Sequence, residues 1–250
     1  MTDSELEDIS IDLLTSYDFI KEIYNRMSVD SLRSLGKRLE VKASKIQSWV
    51  TGELTIDNLK SMCSWIFITK KISKRWSDLQ WEELSHGVTN LLHGDDKFED
   101  RFNRFCNMSI NTLKVRRGYE FAAEVLCYSN PDQYWLWGNW IWDPHARTGA
   151  LPLVLDKNED LDAPSYGEQY ILIGKKIKKL DSIAEELGIR EPNVPPSSRF
   201  ETEIFLCAVF SVYMYTVLRM RMTNEFNTIM PSMPELLERL LGLHKKEVEQ

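Results

Sequence analysis

The first residues that could carry metal chemistry are Glu83 and His86, which form a Glu-x-x-His pair on a predicted helix. Di-iron bundles use two such pairs and two further carboxylates on facing helices. This chain has a single pair of the kind, so an ordinary surface pair is favoured. His93 lies on the same helical face as His86, but no third ligand for zinc is indicated. We therefore expect no metal site and no cofactor.

A second candidate is the compact polar loop that contains Asp143, His145 and Arg147, next to a run of aromatic residues. These side chains could line the pocket of an enzyme of unfamiliar type, whereas the simpler interpretation is the turn of a hairpin. The sequence contains no GxSxG, P-loop, GxGxxG or HExxH motif. It therefore favours a protein that is not an enzyme.

One segment of the chain is basic although the protein as a whole is acidic. Residues 30–75 hold ten lysines and arginines against four acidic residues, whereas the net charge of all 250 residues is −7. A negative total argues against a protein that coats nucleic acid or an anionic membrane with its whole surface. The local positive charge indicates where phosphate groups could be contacted.

The same segment predicts two short helices joined by a tight turn. Three leucines share one face of the first helix, namely Leu32, Leu35 and Leu39. Gly36 between them is small enough to let a second helix pack closely. We expect a break at Glu40-Val41, a second helix over residues 43–50 that ends at Gly52, and a third helix from about Ile56. This arrangement is the helix-turn-helix plan.

The outer face of the second predicted helix is polar and basic, which suits a helix that lies in the major groove. The candidate DNA-contacting residues on this face are Lys42, Ser44, Lys45, Gln47 and Ser48. Further basic residues are candidates for phosphate contacts, namely Lys37, Arg38, Lys70, Lys71, Lys74 and Arg75. The expected partner is therefore double-stranded DNA.

The stretch LEVKASKIQSWVTGE, which begins at Leu39, resembles the core of Cro/C1-type (xenobiotic-response-element-like) helix-turn-helix domains. The positions that match the family pattern are Leu39, Val41, Ile46, Trp49 and Gly52, with Gly36 in the preceding helix. The chain departs from the pattern at Glu40, where the family usually has glycine, and at Leu32, where it often has glutamine. The resemblance covers residues 17–66. It implies a small helical domain that binds DNA or, as in several members of the superfamily, only protein.

The rest of the chain predicts a larger, mostly helical domain with one β-hairpin. The apolar spacing in residues 76–93 indicates an amphipathic helix, and two more helices follow. The aromatic run 133–142 and the apolar stretch 149–155 then predict a Trp-rich hairpin over about residues 133–155. A long helix is expected over residues 199–225, close to the C-terminus.

These elements predict a mainly α fold in two domains. The first, residues 1–70, is the helix-turn-helix domain, and the second, residues 71–250, contains the hairpin and the long helix. The last helix, expected over residues 234–246, carries a leucine stripe made of Leu236, Leu237, Leu240 and Leu241. The stripe either docks on the body or forms a dimer contact. A homodimer is favoured, because helix-turn-helix proteins commonly pair to match half-sites.

Four tryptophans concentrate in the predicted hairpin, namely Trp135, Trp137, Trp140 and Trp142. Aromatic side chains can stack on bases, but the flanking residues here are acidic. We therefore favour a role in the core, or on a surface that faces a protein partner.

Four cysteines, Cys63, Cys106, Cys127 and Cys207, form no CxxC pair, and we expect them to be reduced and mostly buried. The acidic start MTDSELEDIS does not resemble a signal peptide. The longest apolar run, residues 204–218, falls short of the roughly 20 residues that span a bilayer. We therefore expect a cytoplasmic protein that makes no membrane contact.

The favoured function is that of a DNA-binding regulator with a C-terminal domain for dimerisation or sensing. The alternative is a non-enzymatic interaction or assembly factor, in which the helix-turn-helix is only a packing module and the Trp-rich hairpin docks a partner. An enzyme with a site near Asp143, His145 and Arg147 is the least favoured of the three.

Overall fold

The computed structural model describes residues 6, 8–51, 54–190, 196–218 and 231–243. The described chain is mainly helical, which confirms the predicted fold class at that level. Its contacts divide it into two compact units. The first unit comprises the described residues within Met1–Glu40, Asn139–Asp160 and Lys175–Gln250, and the second unit those within Val41–Gly138 and Leu161–Gly174.

The helices follow one another along the chain, and one long connection, residues 130–150, contains the Trp-rich segment. The longer helices are α1 (Leu13–Arg26), α2 (Val29–Val50), α3 (Ile56–Trp65), α4 (Asp78–His93), α5 (Phe98–Asn111), α6 (Gly118–Ser129), α8 (Tyr166–Ser182), α10 (Glu201–Tyr213) and α11 (Met233–Leu240). The short ones are α7 (Leu151–Val154), α9 (Ala184–Leu187), a 3₁₀ turn at Ser73–Arg75 and a π turn at Met214–Leu218.

Helix α2 shows no break at Glu40-Val41, so the predicted turn between two short helices is wrong. Neither residue is a helix breaker, and the buried apolar positions continue through the expected turn at helical spacing. These positions are Leu35, Leu39, Ala43, Ile46 and Val50. One long amphipathic helix therefore takes the place of the first two helices of the expected motif.

In the second unit, α3, α4, α5 and α6 pack against one another in chain order. Local signals place their starts. The Thr55 hydroxyl accepts the Asn58 N–H at the start of α3, and Ser77 and Gln80 form a reciprocal capping box at the start of α4. Because successive helices are neighbours, the loop between α3 and α4 (residues 66–77) lies next to the loop between α5 and α6 (residues 112–117).

The predicted boundary at residue 70 is not where the contacts divide the chain, because residues 41–138 belong to one unit. Tertiary contacts anchor the loop around residue 70 to the second unit. Thr69 is fully buried, with its hydroxyl 2.9 Å from the Cys63 carbonyl oxygen. The Trp76 indole donates a hydrogen bond of 2.8 Å to the Leu113 carbonyl. The basic connector is thus an internal loop of the second unit rather than a linker.

In place of the predicted β-hairpin, the structure has a tight turn. Within the described residues of this region, a single antiparallel bridge joins Asp143 and Thr148. The expected second strand instead forms α7, with Pro152 in its first turn, where the missing N–H costs no helical hydrogen bond. Gly149 adopts a φ of 149° and approaches the Ile141 carbonyl so closely that a side chain there would collide with it.

The Trp-rich segment supplies core residues, as the first of the two sequence interpretations expected. Trp137 is 1% exposed, and its ring centroid lies 4.4 Å from that of Tyr119 in the second unit. Trp135 stacks on Tyr170 at 4.9 Å and leaves no room for a Cβ atom on Gly174. Trp140 and Trp142 are buried as well.

In the first unit, α1 packs against α7, α9 and α10, and α10 packs against α11. Leu237 and Leu241 are buried there, so the leucine stripe of the last helix docks at least partly within its own chain. Gly36 does permit a close approach, because an added Cβ would lie 2.7 Å from the Ser198 Cβ, just before α10, and 3.6 Å from Ile204 Cδ1 within that helix.

The long C-terminal helix is observed as α10 and the π turn that follows it. The remainder of the predicted span, residues 219–225, and residues 244–246 of the last helix lie outside the described residues. None of the helices in the described ranges has the length and hydrophobicity that crossing a membrane requires.

All four cysteines are buried and none of them forms a disulfide, which confirms the expectation from their spacing. Burial raises the pKa of the Cys63 thiol to about 12, and it also raises the pKa of Cys106 and Cys207. Because the thiolate is the reactive form, these thiols are chemically shielded in the folded chain.

We expect the native protein at pH 8 to react slowly with an aromatic disulfide reagent, and the denatured protein to release one chromophore equivalent for each of its four cysteines at once. The variant Thr89→Cys, at an exposed position of α4, is the control and should react rapidly without denaturant. Rapid labelling of a native cysteine in the parent protein would contradict the observed burial.

Candidate nucleic-acid interface

Lys42, expected to contact DNA, is buried in the second unit with 1% of its side chain exposed. Its ammonium lies 3.2 Å from Glu124 Oε2 and 4.4 Å from the centroid of the Tyr128 ring. A buried ammonium needs such partners, because leaving it unpaired is costly. Lys42 is therefore not available for contact with DNA, which corrects the prediction for this residue.

The other predicted DNA-contacting residues of α2 are more accessible. Ser44, Gln47 and Ser48 are exposed, while Lys45 is half-buried. The Lys45 ammonium lies 4.8 Å from the ring centroid of Trp65, which is the last residue of α3. This polar strip faces outward because the stripe that continues through Ala43, Ile46 and Val50 faces inward.

The candidates Lys37 and Arg38 belong to the first unit. Lys37 is exposed, whereas Arg38 is half-buried and donates to Glu238 of α11 at 2.7 Å. Glu40, the expected turn residue, accepts the Arg199 backbone N–H at 2.8 Å and pairs with its guanidinium. Burial raises the pKa of Glu40, but these bonds outweigh burial and hold the pKa below its ordinary value.

Four of the candidates lie in the loop between α3 and α4. Thr69 and Ser73 are buried and anchor this loop, so that Lys71, Lys74 and Arg75 are exposed and Lys70 is half-buried. This part of the predicted site is thus at the surface. The loop also presents Phe67, which is 55% exposed.

A second basic loop follows α5, and its residues are absent from the predicted site. Leu113 and Val115 are buried. The residue that follows each of them, Lys114 and Arg116, is exposed. Arg117 comes next and is 3.0 Å from Glu120. The alternation of apolar and basic residues in the stretch LKVRR is a sequence signal that could have identified this loop.

Two hydrogen bonds connect the second loop to the end of the first loop and to the first turn of α4. Besides the bond from Trp76 to Leu113, the Gln80 side-chain amide donates to the Thr112 carbonyl at 2.8 Å. We call the two segments together the basic loops, defined by Lys70, Lys71, Lys74, Arg75, Lys114, Arg116 and Arg117. These loops carry seven positive charges, whereas the first turns of the adjoining helices carry two negative charges, on Asp78 and Glu120. A surface of this kind attracts polyanions.

The polar loop at Asp143 is organised as a turn. The Asp143 carboxylate accepts the backbone N–H groups of His145 at 2.9 Å and of Ala146 at 3.1 Å, which stabilises the turn. Glu83, His86 and His93 are exposed on α4. In the ranges that the structure describes, no three His, Cys, Asp or Glu side chains are grouped as a metal site requires.

The chain was compared with models of protein families, with curated proteins and with solved structures, and none of them matches it.

Proposed function

We propose that this protein is a non-enzymatic DNA-binding regulator that holds the phosphate backbone of double-stranded DNA with the basic loops of its second unit. The observation that carries this proposal is the joining of two separate basic loops in a chain whose net charge is −7. Cations that are concentrated on one surface of an acidic protein attract polyanions to that surface.

The exposed strip of α2 gives the same unit hydrogen-bonding side chains that could contact base edges. Ser44, Gln47 and Ser48 can form hydrogen bonds with base edges. A contact between such a neutral side chain and a base contributes less affinity than a contact between a cation and a phosphate. Because the expected turn is absent, we assign most of the binding free energy to the basic loops. Homodimerisation, which the sequence favours, remains a prediction that sedimentation of the free protein would test.

The test is the binding of a random-sequence duplex, followed by fluorescence anisotropy between about 50 and 200 mM salt. Contact with four or five phosphates predicts that log K falls against log salt with a slope of about −4. The triple variant Lys71→Ala, Lys74→Ala, Arg116→Ala should reduce that slope by about 3 and weaken binding equally for all sequences.

A matched control removes three exposed lysines that lie outside the basic loops, through Lys21→Ala, Lys97→Ala and Lys157→Ala. It changes the net charge by the same amount and should keep most of the slope. Equal slopes for the triple variant and the parent protein, or no binding at the lowest salt, would show that the basic loops are not the DNA site.

Phe67 favours a second candidate, the binding of single-stranded nucleic acid. Its exposed ring lies in the first basic loop, and base stacking on an aromatic side chain is worth about 1–3 kcal/mol. A single strand that binds more tightly than the duplex, and loses that advantage in Phe67→Ala, would replace the duplex proposal with this one.

A further inference from the structure

The first unit contains a cavity of about 360 Å³, which lies within the size range of small-molecule sites. Its lining comes from α1, the first turns of α2, the residues that follow α9, and α10 with Ser197 before it. All of the described lining residues belong to the first unit, whereas the basic loops belong to the second.

Buried apolar side chains form the floor of the cavity. Helix α10 contributes Ile204, Phe205 and Ala208, which share one face because Ala208 follows the other two by four and three positions. These three residues are 5%, 6% and 0% exposed, and Ile23 of α1 is buried as well. The other apolar residues of the lining are Ile20, Val29, Leu32 and Ile189. The wall that α10 provides, from Glu201 to Ala208, is about 10 Å long, which suits an elongated apolar body.

The uncharged polar groups of the lining form hydrogen bonds within the protein. The Tyr24 hydroxyl donates to the Gly188 carbonyl at 3.1 Å. The backbone N–H groups of Gly188, Ile189 and Arg190 donate to carbonyl oxygens of α9. Because these bonds close the C-terminal end of α9, the groups that make them need no partner from a ligand.

The charged groups at the Glu201 end of the cavity are paired as well. Glu201 accepts the backbone N–H of Ser197 at 2.5 Å and its hydroxyl at 2.7 Å, and Arg190 Nε donates to it at 2.9 Å. Asp181 places a second carboxylate 3.0 Å from Arg190, but its side chain is 55% exposed, so water screens its charge. Arg33 is exposed at the rim and has an interaction of its own.

We infer that this cavity binds an uncharged, elongated apolar molecule, which lies along α10. An ionic ligand would lose its hydration in the cavity without gaining a counter-charge, since the charged residues of the described lining already have partners. Water is a poor occupant for the same reason, because a buried water needs two to four polar partners. An apolar cavity of roughly 150 Å³ accepts benzene, so this larger one can hold a body longer than a single ring.

The inference does not rest on the proposed DNA binding, and its experiment uses the whole protein without DNA. Isothermal titration compares octanol, octanoate and octylamine, which share one apolar chain and are neutral, anionic and cationic at neutral pH. Octanol should bind at least about tenfold more tightly than either ion. An ion that binds as tightly as octanol, or more tightly, would overturn the assignment of an uncharged ligand.

Two substitutions test whether octanol occupies this cavity. Val29→Trp adds a large ring at a lining position that is 40% exposed, and Val41→Trp is its control, because Val41 is 41% exposed on the same helix outside the lining. Ala208→Leu fills the floor, with Ala146→Leu in the exposed turn as its control. Each cavity variant should weaken octanol binding about tenfold or more, and each control should leave it unchanged.

Melting curves identify any variant that fails to fold, and Val29→Trp alone decides the result if Ala208→Leu does not fold. Weaker octanol binding in a folded cavity variant, with its control unchanged, supports the inference. Octanol binding that no folded cavity variant weakens, or that the controls weaken equally, would overturn it. The absence of octanol binding to the parent protein would overturn it too.

Discussion

Replacement of Trp137 by alanine should lower the free energy of unfolding by about 3–5 kcal/mol. Trp137 is the largest of the fully buried side chains in the described chain, and its ring contacts those of Phe102, Tyr119, Tyr166 and Tyr170 in the second unit. Truncation leaves a cavity that aromatic neighbours cannot easily fill. Since small domains are stable by about 5–15 kcal/mol, the second unit of this variant should be close to unfolding.

Chemical denaturation followed by circular dichroism measures this change. Phe67→Ala is the matched control, because it removes an aromatic ring that is 55% exposed, and it should change stability by no more than about 0.5 kcal/mol. If Trp137→Ala were as stable as the control but lost a protein partner, the docking interpretation of the Trp-rich segment would be correct after all.

Lys42→Ala should destabilise the protein by about 3–5 kcal/mol, because it leaves the Glu124 carboxylate without its partner in a largely buried position. The double variant Lys42→Met, Glu124→Leu should recover most of that loss, since apolar side chains of similar volume often replace a buried ion pair without cost. The loss thus comes from the unpaired charge rather than from an intrinsic need for lysine.

The same denaturation experiment tests the prediction, with Lys37→Ala as a control at an exposed lysine on the same helix. DNA affinity measured well below the melting temperature should be unchanged in the double variant. A Lys42→Ala protein of normal stability that binds DNA weakly would restore the role that the sequence pattern indicates for this residue.

Local patterns account for the successful predictions. The apolar spacing of residues 76–93 locates α4, because periodicity depends on residues within a few positions of each other. The burial of the four cysteines follows from similar reasoning, because a cysteine outside a disulfide behaves as a small apolar residue and prefers the core.

The candidate site was predicted only in part. Lys71, Lys74 and Arg75 are exposed as expected, since their loop is charged and short. Lys42 is not exposed. A lysine on an amphipathic helix can face inward when buried partners bind its ammonium, and here these partners are the Glu124 carboxylate and the Tyr128 ring. Arg116 and Lys114 join the site through a hydrogen bond between residues 37 positions apart, a contact that no local pattern contains.

By itself, the sequence determined that the chain is mainly helical and that its positive charge is concentrated locally. Only the tertiary structure decided that residues 29–50 form one helix and that the tryptophans are core residues. It also decided that the two basic loops meet. The physical reason is that helix starts and periodicity depend on neighbouring residues, whereas a turn, a strand or a joint surface is decided by distant side chains.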